Sequence, residues 1–210
     1  MKSKRLYLRL DEPALQSAAV RYHFEDRKEL FFRVYEDLAR RIEPFAFYEY
    51  NFPKQLWMTA VTSLGPQPDE MMEAFQKKEL FSEAYAVDCL SLEFLTQSYR
   101  AVREFVFREQ RCFLGEMLFC SEEELGLLFP VLKERWKNLP VQITEAGALL
   151  PSKTTVFQAS YGLRGGICRN SCENCPNNRD CSFRQINKTD RAPALRDGGG
   201  TSQTPCNPRR

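Results

Sequence analysis

Four cysteines near the end of the chain are the residues whose types and spacing most directly indicate chemistry. Cys168, Cys172, Cys175 and Cys181 lie in the run CRNSCENCPNNRDCSFR, with the spacing C-x3-C-x2-C-x5-C. Four thiolates held this close together typically bind a metal, either as structural zinc or as an iron–sulfur cluster. We therefore predict a metal site at these four cysteines. The spacing alone leaves zinc, an iron–sulfur cluster and two disulfide bonds as alternatives.

The first three of these cysteines also have the C-x3-C-x2-C spacing of radical S-adenosylmethionine enzymes. Those enzymes place the motif early, on a loop of a large barrel, and leave one iron without a protein ligand. Here the motif begins only at Cys168 of 210 residues, and Cys181 supplies a fourth thiolate. A closed set of four ligands favours electron transfer over radical chemistry.

Length and composition indicate a globular domain with a tail. The chain has 210 residues, of which 43% are hydrophobic and 28% charged, and a formal net charge of +2. Because acidic and basic residues alternate throughout, we expect no nucleic-acid partner. No apolar run approaches the roughly 20 residues of a transmembrane helix, and the N-terminus lacks the apolar core of a secretory signal. We therefore expect a cytoplasmic protein without a membrane partner.

The elements that must position a site alternate between helices and strands. Apolar spacing predicts a helix over residues 28–42 and a long helix that begins near Ser82, which would cap it. A helix is also expected after Asp11, and another ends near Leu80. Ser121 and Glu124 predict a capping box at the start of a last helix. One stripe of the long helix is expected to pack in the core: Tyr85, Cys89, Leu92, Leu95, Tyr99, Val102 and Val106.

Several details of this prediction concern helix ends and strands. Pro130 should kink or split the last helix, and residues 111–115 should form a turn. The runs FAFYEY, LWMTAVTSLG, VQIT, ALL and TTVFQASYGL are typical of strands. The single histidine, His23, is expected to be a surface or capping residue and not a catalytic one.

These elements predict an α+β (mixed α/β) fold, with an antiparallel-rich sheet flanked by helices and a C-terminal cysteine-rich metal-binding segment. We expect a folded domain over residues 1–163, the four-cysteine segment over 164–186 and a disordered tail over 187–210. The tail is rich in Gly, Pro and polar residues.

Three stretches together resemble the activation domain of vitamin B12-dependent methionine synthase, in particular its stand-alone relatives in anaerobic bacteria. The run AVTSLGPQPDEMMEAFQKKELFSEAYAVDCLSLEFL is similar to that family's strand, turn and two helices. VQITEAGALLPSKTTVFQASYGL resembles its next strand pair, and CENCPNNRDCSFR resembles a cysteine tail that some relatives carry. The resemblance covers residues 55–184.

The resemblance implies binding of S-adenosylmethionine and a part in reductive remethylation of an inactive cobalamin. The family's Arg-x-x-Pro-Gly-Tyr loop matches residues 111–116, so Arg111 and Gly115 are the implied cofactor-binding residues. Leu114 stands in the place of the proline and Glu116 in that of the tyrosine. An arginine can pair with a carboxylate, and a glycine lets a ligand approach the backbone. The family also uses an acidic residue of the central helix, here Asp88 or Glu93.

Two hypotheses follow, and in neither does the chain supply a catalytic side chain, because the chemistry belongs to cofactors. In the first, the chain is an accessory protein for reductive reactivation of a cobalamin-dependent methyltransferase. The four cysteines then hold an iron–sulfur cluster, [4Fe–4S] in preference to zinc, and the cobalamin is on the partner. Flavodoxin or ferredoxin would be the electron donor, attracted by Arg164, Arg169, Arg179, Arg184, Lys188 and Arg191. In the second, a non-enzymatic module docks on a corrinoid protein and its cysteines hold structural zinc.

Overall fold

The computed structural model describes residues 1–163, so the predicted four-cysteine segment and tail lie outside the described residues. The helices and strands are, in chain order, β1 Lys2–Arg5, α1 Glu12–Arg21, α2 Lys28–Arg41, β2 Phe45–Tyr50, β3 Trp57–Ser63, α3 Gln67–Gln76, α4 Phe81–Gln110, β4 Phe113–Phe119, α5 Glu122–Arg135, β5 Gln142–Ile143, β6 Leu149–Leu150 and β7 Thr154–Gly162.

The described strands form a five-stranded sheet in the order β1-β2-β3-β7-β4, and every neighbouring pair is antiparallel. Strands β5 and β6 form a separate two-stranded hairpin. The α+β prediction with an antiparallel sheet is therefore confirmed. Among the described helices, none combines the length and the apolar character needed to cross a bilayer.

The two faces of the sheet pack against different layers. Alternate residues of β2 point to opposite sides, so Ala46 and Tyr48 join the larger apolar cluster while Phe45 and Phe47 border the smaller one. Helices α1–α4 build the larger cluster on the first face. On the second face, α5 and the segment after it pack on Val61 and Val156.

Two strands are absent from the sequence prediction, and both lie at the edges of the sheet. Strand β1 has the sequence KSKR, which carries no apolar alternation, and it is held by pairing with β2. Strand β4 occupies most of the predicted turn at residues 111–115. Only Arg111 and Cys112 lie between α4 and β4, and the φ of 53° at Arg111 reverses the chain directly after the helix.

The long helix differs from the prediction at its start and along its stripe. Leu80 is the N-cap residue and provides no side-chain cap, whereas the hydroxyl of Ser82 accepts a hydrogen bond from Arg27 at 2.8 Å. Tyr85 and Leu92 are 42% and 38% exposed, so these two residues of the stripe are not core, whereas Cys89 between them is buried. The remaining stripe residues pack at or against the core, as predicted.

The last helix has the predicted capping box, with the Ser121 hydroxyl accepting from the Glu124 backbone and the Glu124 carboxylate accepting from Ser121. It is not split by Pro130, since α5 is continuous from Glu122 to Arg135. Proline removes the hydrogen bond to the carbonyl of Gly126. Both residues are exposed, so water replaces the lost bond at little cost.

Candidate functional site

Arg111 ends the long helix and is exposed. Its backbone N–H donates to the carbonyl of Phe107 at 2.9 Å, and its left-handed conformation turns the chain into β4. Glycine is the residue that usually occupies this position, because a Cβ there is sterically unfavourable. An arginine in this place therefore carries a conformational cost of about 1 kcal/mol, and its side chain extends into solvent beside the start of β4.

Gly115 lies inside β4 at an irregularity, because the pairing of β4 with β7 shifts register between Leu114 and Met117. A Cβ added at Gly115 would lie 2.7 Å from the Oγ of Ser160 and 3.2 Å from its backbone oxygen. The glycine is therefore required for the close approach of β4 to β7. That packing role accounts for a glycine at this position independently of any ligand.

A polar cluster that sequence reasoning missed lies near Arg111, around the carboxylate of Glu109. This carboxylate accepts hydrogen bonds from Tyr48 at 2.9 Å and Tyr50 at 3.3 Å, and it pairs with Lys2 at 3.0 Å and Lys4 at 2.6 Å. The four partners come from β1 and β2. No signal in the sequence links them to Glu109, because the nearest is 59 residues away.

The carboxyl group and the two phenols of this Glu109 cluster keep fixed charge states at neutral pH. Burial would raise the pKa of Glu109, but the hydrogen bonds from Lys4, Lys2 and Tyr48 outweigh it and lower that pKa to about 2. Burial, followed by the Glu109 carboxylate, raises the pKa of Tyr48 and Tyr50. A general acid or base needs a pKa near the working pH. The cluster therefore fastens β1 and β2 to the end of α4 and does not transfer protons.

Glu93 lies in the middle of α4, is buried, and already has two partners. It forms an ion pair with Arg21 and accepts a hydrogen bond from the hydroxyl of Tyr22 at 2.8 Å. Burial, with the Glu93 charge next, raises the pKa of Tyr22. The carboxylate thus joins the end of α1 to α4, which is a structural contact.

The structure does not bring Glu93 and Arg111 together. Both belong to one continuous helix or its cap, and 18 residues of helix rise about 27 Å. Arg111 and Gly115, in contrast, are four residues apart on either side of the start of β4. Of the three residues implied for S-adenosylmethionine, Arg111 and Gly115 therefore share one junction and Glu93 lies apart from them.

The other acidic candidate, Asp88, lies at a different corner of the sheet. Asp88 forms an ion pair with Lys153, whose side chain is only 14% exposed. The neighbouring Ser152 donates its backbone N–H to Asp69 at 2.7 Å, and its hydroxyl also bonds to Asp69. These two carboxylates, from α3 and α4, therefore anchor the chain just before β7.

This corner joins two of the stretches that carry the family resemblance. The end of β3 and the start of β7 are paired at Ser63 and Thr154, whose hydroxyls hydrogen-bond at 2.8 Å. The backbone of Leu64 donates to the carbonyl of Lys153 at 3.1 Å. The motif SLGPQPDE and the motif PSKT are thus adjacent in space, and in this structure both serve to hold the sheet to α3 and α4.

The four cysteines follow the described domain closely in sequence. Residue 163 is the last one described, and Cys168 comes five residues later. Gly162 pairs with Phe113, so β7 ends beside the start of β4, next to the junction of α4 and β4 at Arg111. Within residues 1–163, no group of three or more His, Cys, Asp or Glu side chains is arranged to hold a metal ion. The metal site at Cys168, Cys172, Cys175 and Cys181 stays a prediction.

No protein-family model matches this chain, and no curated protein matches it either.

Proposed function

We propose that this protein is an accessory component for reductive reactivation of a cobalamin-dependent methyltransferase of the methionine synthase type. One observation carries the proposal, namely the C-x3-C-x2-C-x5-C spacing of Cys168, Cys172, Cys175 and Cys181 after a domain of 163 residues. Four thiolates suit a [4Fe–4S] cluster, which would supply a low-potential electron for an inactive Co(II) cobalamin on the partner. In a reducing cytoplasm these thiols stay available as ligands.

The end of the domain next to residue 163 has features suited to a partner protein. Phe107 and Phe113 contact each other with ring centroids 5.1 Å apart, yet both are more than 40% exposed. Leu163 is also exposed, and Arg111 adds a positive charge beside them. Exposed apolar residues that form one patch are typical of interaction sites. This patch is our candidate surface for the cobalamin-binding methyltransferase, with flavodoxin or ferredoxin as electron donor.

For S-adenosylmethionine, the proposal is limited to the junction of α4 and β4. Arg111 would pair with the carboxylate of the ligand, and the backbone near Gly115 would lie against it. Glu93 is not included, because Arg21 and Tyr22 occupy its carboxylate about 27 Å along the helix.

Anaerobic purification of the full chain tests the metal assignment. We expect a brown protein with about four iron and four sulfide per chain and a broad visible absorption that bleaches on reduction. Cys181→Ser should lower the iron content and alter the reduction potential. Cys206→Ser is the matched control, because it removes a cysteine outside the four-residue motif, and it should leave both quantities unchanged.

A colourless protein that binds one zinc would overturn the electron-transfer function and support the docking module with structural zinc. A second measurement tests whether the cluster, once present, reduces the cobalamin. The reduced protein should convert Co(II) to Co(I) on a cobalamin-binding methyltransferase, followed by visible spectroscopy, and Cys181→Ser should slow this conversion. An iron–sulfur protein that leaves the cobalamin unchanged would contradict the proposed function.

Calorimetry with S-adenosylmethionine tests whether this ligand binds at the junction of α4 and β4. Arg111→Gly is the informative variant, because glycine accepts the left-handed cap and the fold is retained. It should abolish the heat of binding. Arg108→Ala is the control, since Arg108 is 77% exposed one turn earlier and lies outside the junction. If the parent protein gives no heat, S-adenosylmethionine is not a ligand.

A further inference from the structure

An apolar groove lies where α5 leaves the second face of the sheet uncovered near β4. Its volume is about 400 Å³, and its walls include Leu118 of β4, Leu127 and Val131 of α5, and Phe52. Leu127 is 80% exposed and Leu118 is 47% exposed. These side chains do not fill the space between helix and strand, so the groove offers an apolar surface for a further segment of chain.

The borders of this groove are acidic. Glu124 lines it directly, and Glu123 lies one helical turn before Leu127 on the same side of α5. Glu116 precedes Leu118 in β4 by two residues and is exposed. Neither Glu116 nor Glu123 forms an ion pair with another described residue, and the nearby Arg135 is paired with Glu49. A ligand for this groove should therefore combine bulky apolar side chains with basic ones.

The rest of this chain has that chemistry. The whole sequence has 30 Lys and Arg against 28 Asp and Glu; residues 164–210 contribute nine and four of these, and residues 1–163 contribute 21 and 24. The described domain is thus net negative and the remainder net positive. Within that remainder, Phe183 and Ile186 lie close together in sequence, and Arg184 and Lys188 alternate with them.

We propose that the groove between α5 and β4 binds residues 182–188 of the same chain, with Phe183 and Ile186 in the apolar groove and Arg184 and Lys188 against its acidic border. Binding there would tether the four-cysteine motif to the domain at both of its ends, at residue 163 and at the groove. The proposal does not depend on which metal the cysteines bind.

The length of the intervening chain suits this attachment. Gly162 pairs with Phe113 at one end of β4, and the groove lies beside Leu118 and Phe119 near the other end. Five or six residues of strand span about 17–20 Å. The links from residue 163 to Cys168 and from Cys181 to Phe183 are five and two residues long. Together they extend to about 24 Å, so residue 183 reaches the groove even when a metal holds the four cysteines together.

Cys120 provides a probe, because its free thiol lines the groove. Its alkylation in the full-length protein can be followed by peptide mass spectrometry. The double variant Phe183→Asp/Ile186→Asp should increase the alkylation rate about tenfold, the factor expected if binding covers the groove nine-tenths of the time. Leu195→Asp is the matched control, because it adds a charge to the same region outside residues 182–188, and it should have no effect.

Two outcomes would overturn the proposal. An alkylation rate of Cys120 that is equal in the parent and the double variant would show that residues 182–188 do not cover the groove. A protection that disappears on dilution would show that a second copy of the chain supplies the segment. Both measurements are made at one pH, because burial and the Glu124 carboxylate raise the pKa of Cys120 to about 11.

A substitution in the groove itself gives an independent measurement. Leu127→Ser removes a highly exposed leucine from the groove, so the fold should be retained. It should accelerate trypsin cleavage after Arg184 several-fold, because the docked segment is released. Val20→Ser, which removes an exposed valine from α1, should leave the cleavage rate unchanged. Equal rates in all three proteins would contradict the proposal.

Discussion

The two faces of the sheet are covered to different extents. Helices α1–α4 cover the first face, and their core includes the fully buried Phe31, Leu90 and Phe94. The second face is covered by α5 and the segment that follows it, with Trp136 at its centre. Beside α5, the groove next to β4 remains open. The first face therefore supplies most of the apolar burial, whereas the second retains an open apolar groove.

A matched pair of core truncations tests this difference most strongly. Leu90 in α4 and Leu132 in α5 are both fully buried. Each leucine-to-alanine substitution should lower the free energy of unfolding by about 2–5 kcal/mol, with the larger loss at Leu90. The thinner layer around Leu132 can relax more easily into the cavity. Urea unfolding measures both, and a larger loss at Leu132 would reverse the comparison.

Gly115→Ala tests the junction of β4 with β7. The added Cβ would meet the Oγ and the backbone oxygen of Ser160, so the two strands must separate. We expect a loss of about 1–3 kcal/mol in the free energy of unfolding. If Gly115→Ala were neutral, close approach to Ser160 would not explain the glycine.

The Glu109 cluster predicts a dependence of stability on pH. The folded-state pKa of Glu109 is about 2, below its ordinary value of 4.5. The contribution of the Glu109 carboxylate to the free energy of unfolding is therefore complete above about pH 4.5. It is lost as the pH falls toward 2. Glu109→Gln should be less stable than the parent at pH 7, and the difference should shrink in that acidic interval. Thermal melting as a function of pH measures it; a constant difference would contradict the assignment.

Gly126→Ala should have the smallest effect, and it should be stabilising. Gly126 lies within α5, and no atom is within 4 Å of an added Cβ. Alanine favours the helix by about 1 kcal/mol in such a position. Hydrogen exchange of the α5 amides should slow in this variant, while that of α4 should not change. A destabilised protein would show that the exposed side of α5 is constrained by other contacts.

The sequence prediction succeeded where periodicity and capping residues act locally. It placed α2, α4 and α5, including the Ser121 capping box, and the strands rich in aromatic and β-branched residues. It missed β1 and β4 because edge strands depend on their neighbours for pairing. The charged KSKR has no pattern of its own, and only Arg111 and Cys112 separate β4 from the end of α4.

The candidate site was predicted less completely than the fold. Arg111 and Gly115 both lie at the junction of α4 and β4 because only three residues separate them in the sequence. Glu93 was placed with them by resemblance, although the rise of α4 separates them and Arg21 pairs with its carboxylate. The Glu109 cluster could not be inferred, since it joins three elements that are far apart in sequence.

The amino-acid sequence alone establishes the spacing of the four cysteines, the alternation of helices and strands, and the opposite net charges of the domain and the remaining residues. These properties depend on neighbours along the chain. Tertiary structure decides which carboxylates pair with other side chains. It also decides that a groove stays open on the second face of the sheet, between α5 and β4. It also places the end of β7 beside the Arg111 junction. Those features require strand pairing and helix packing over long sequence separations, which no local pattern encodes.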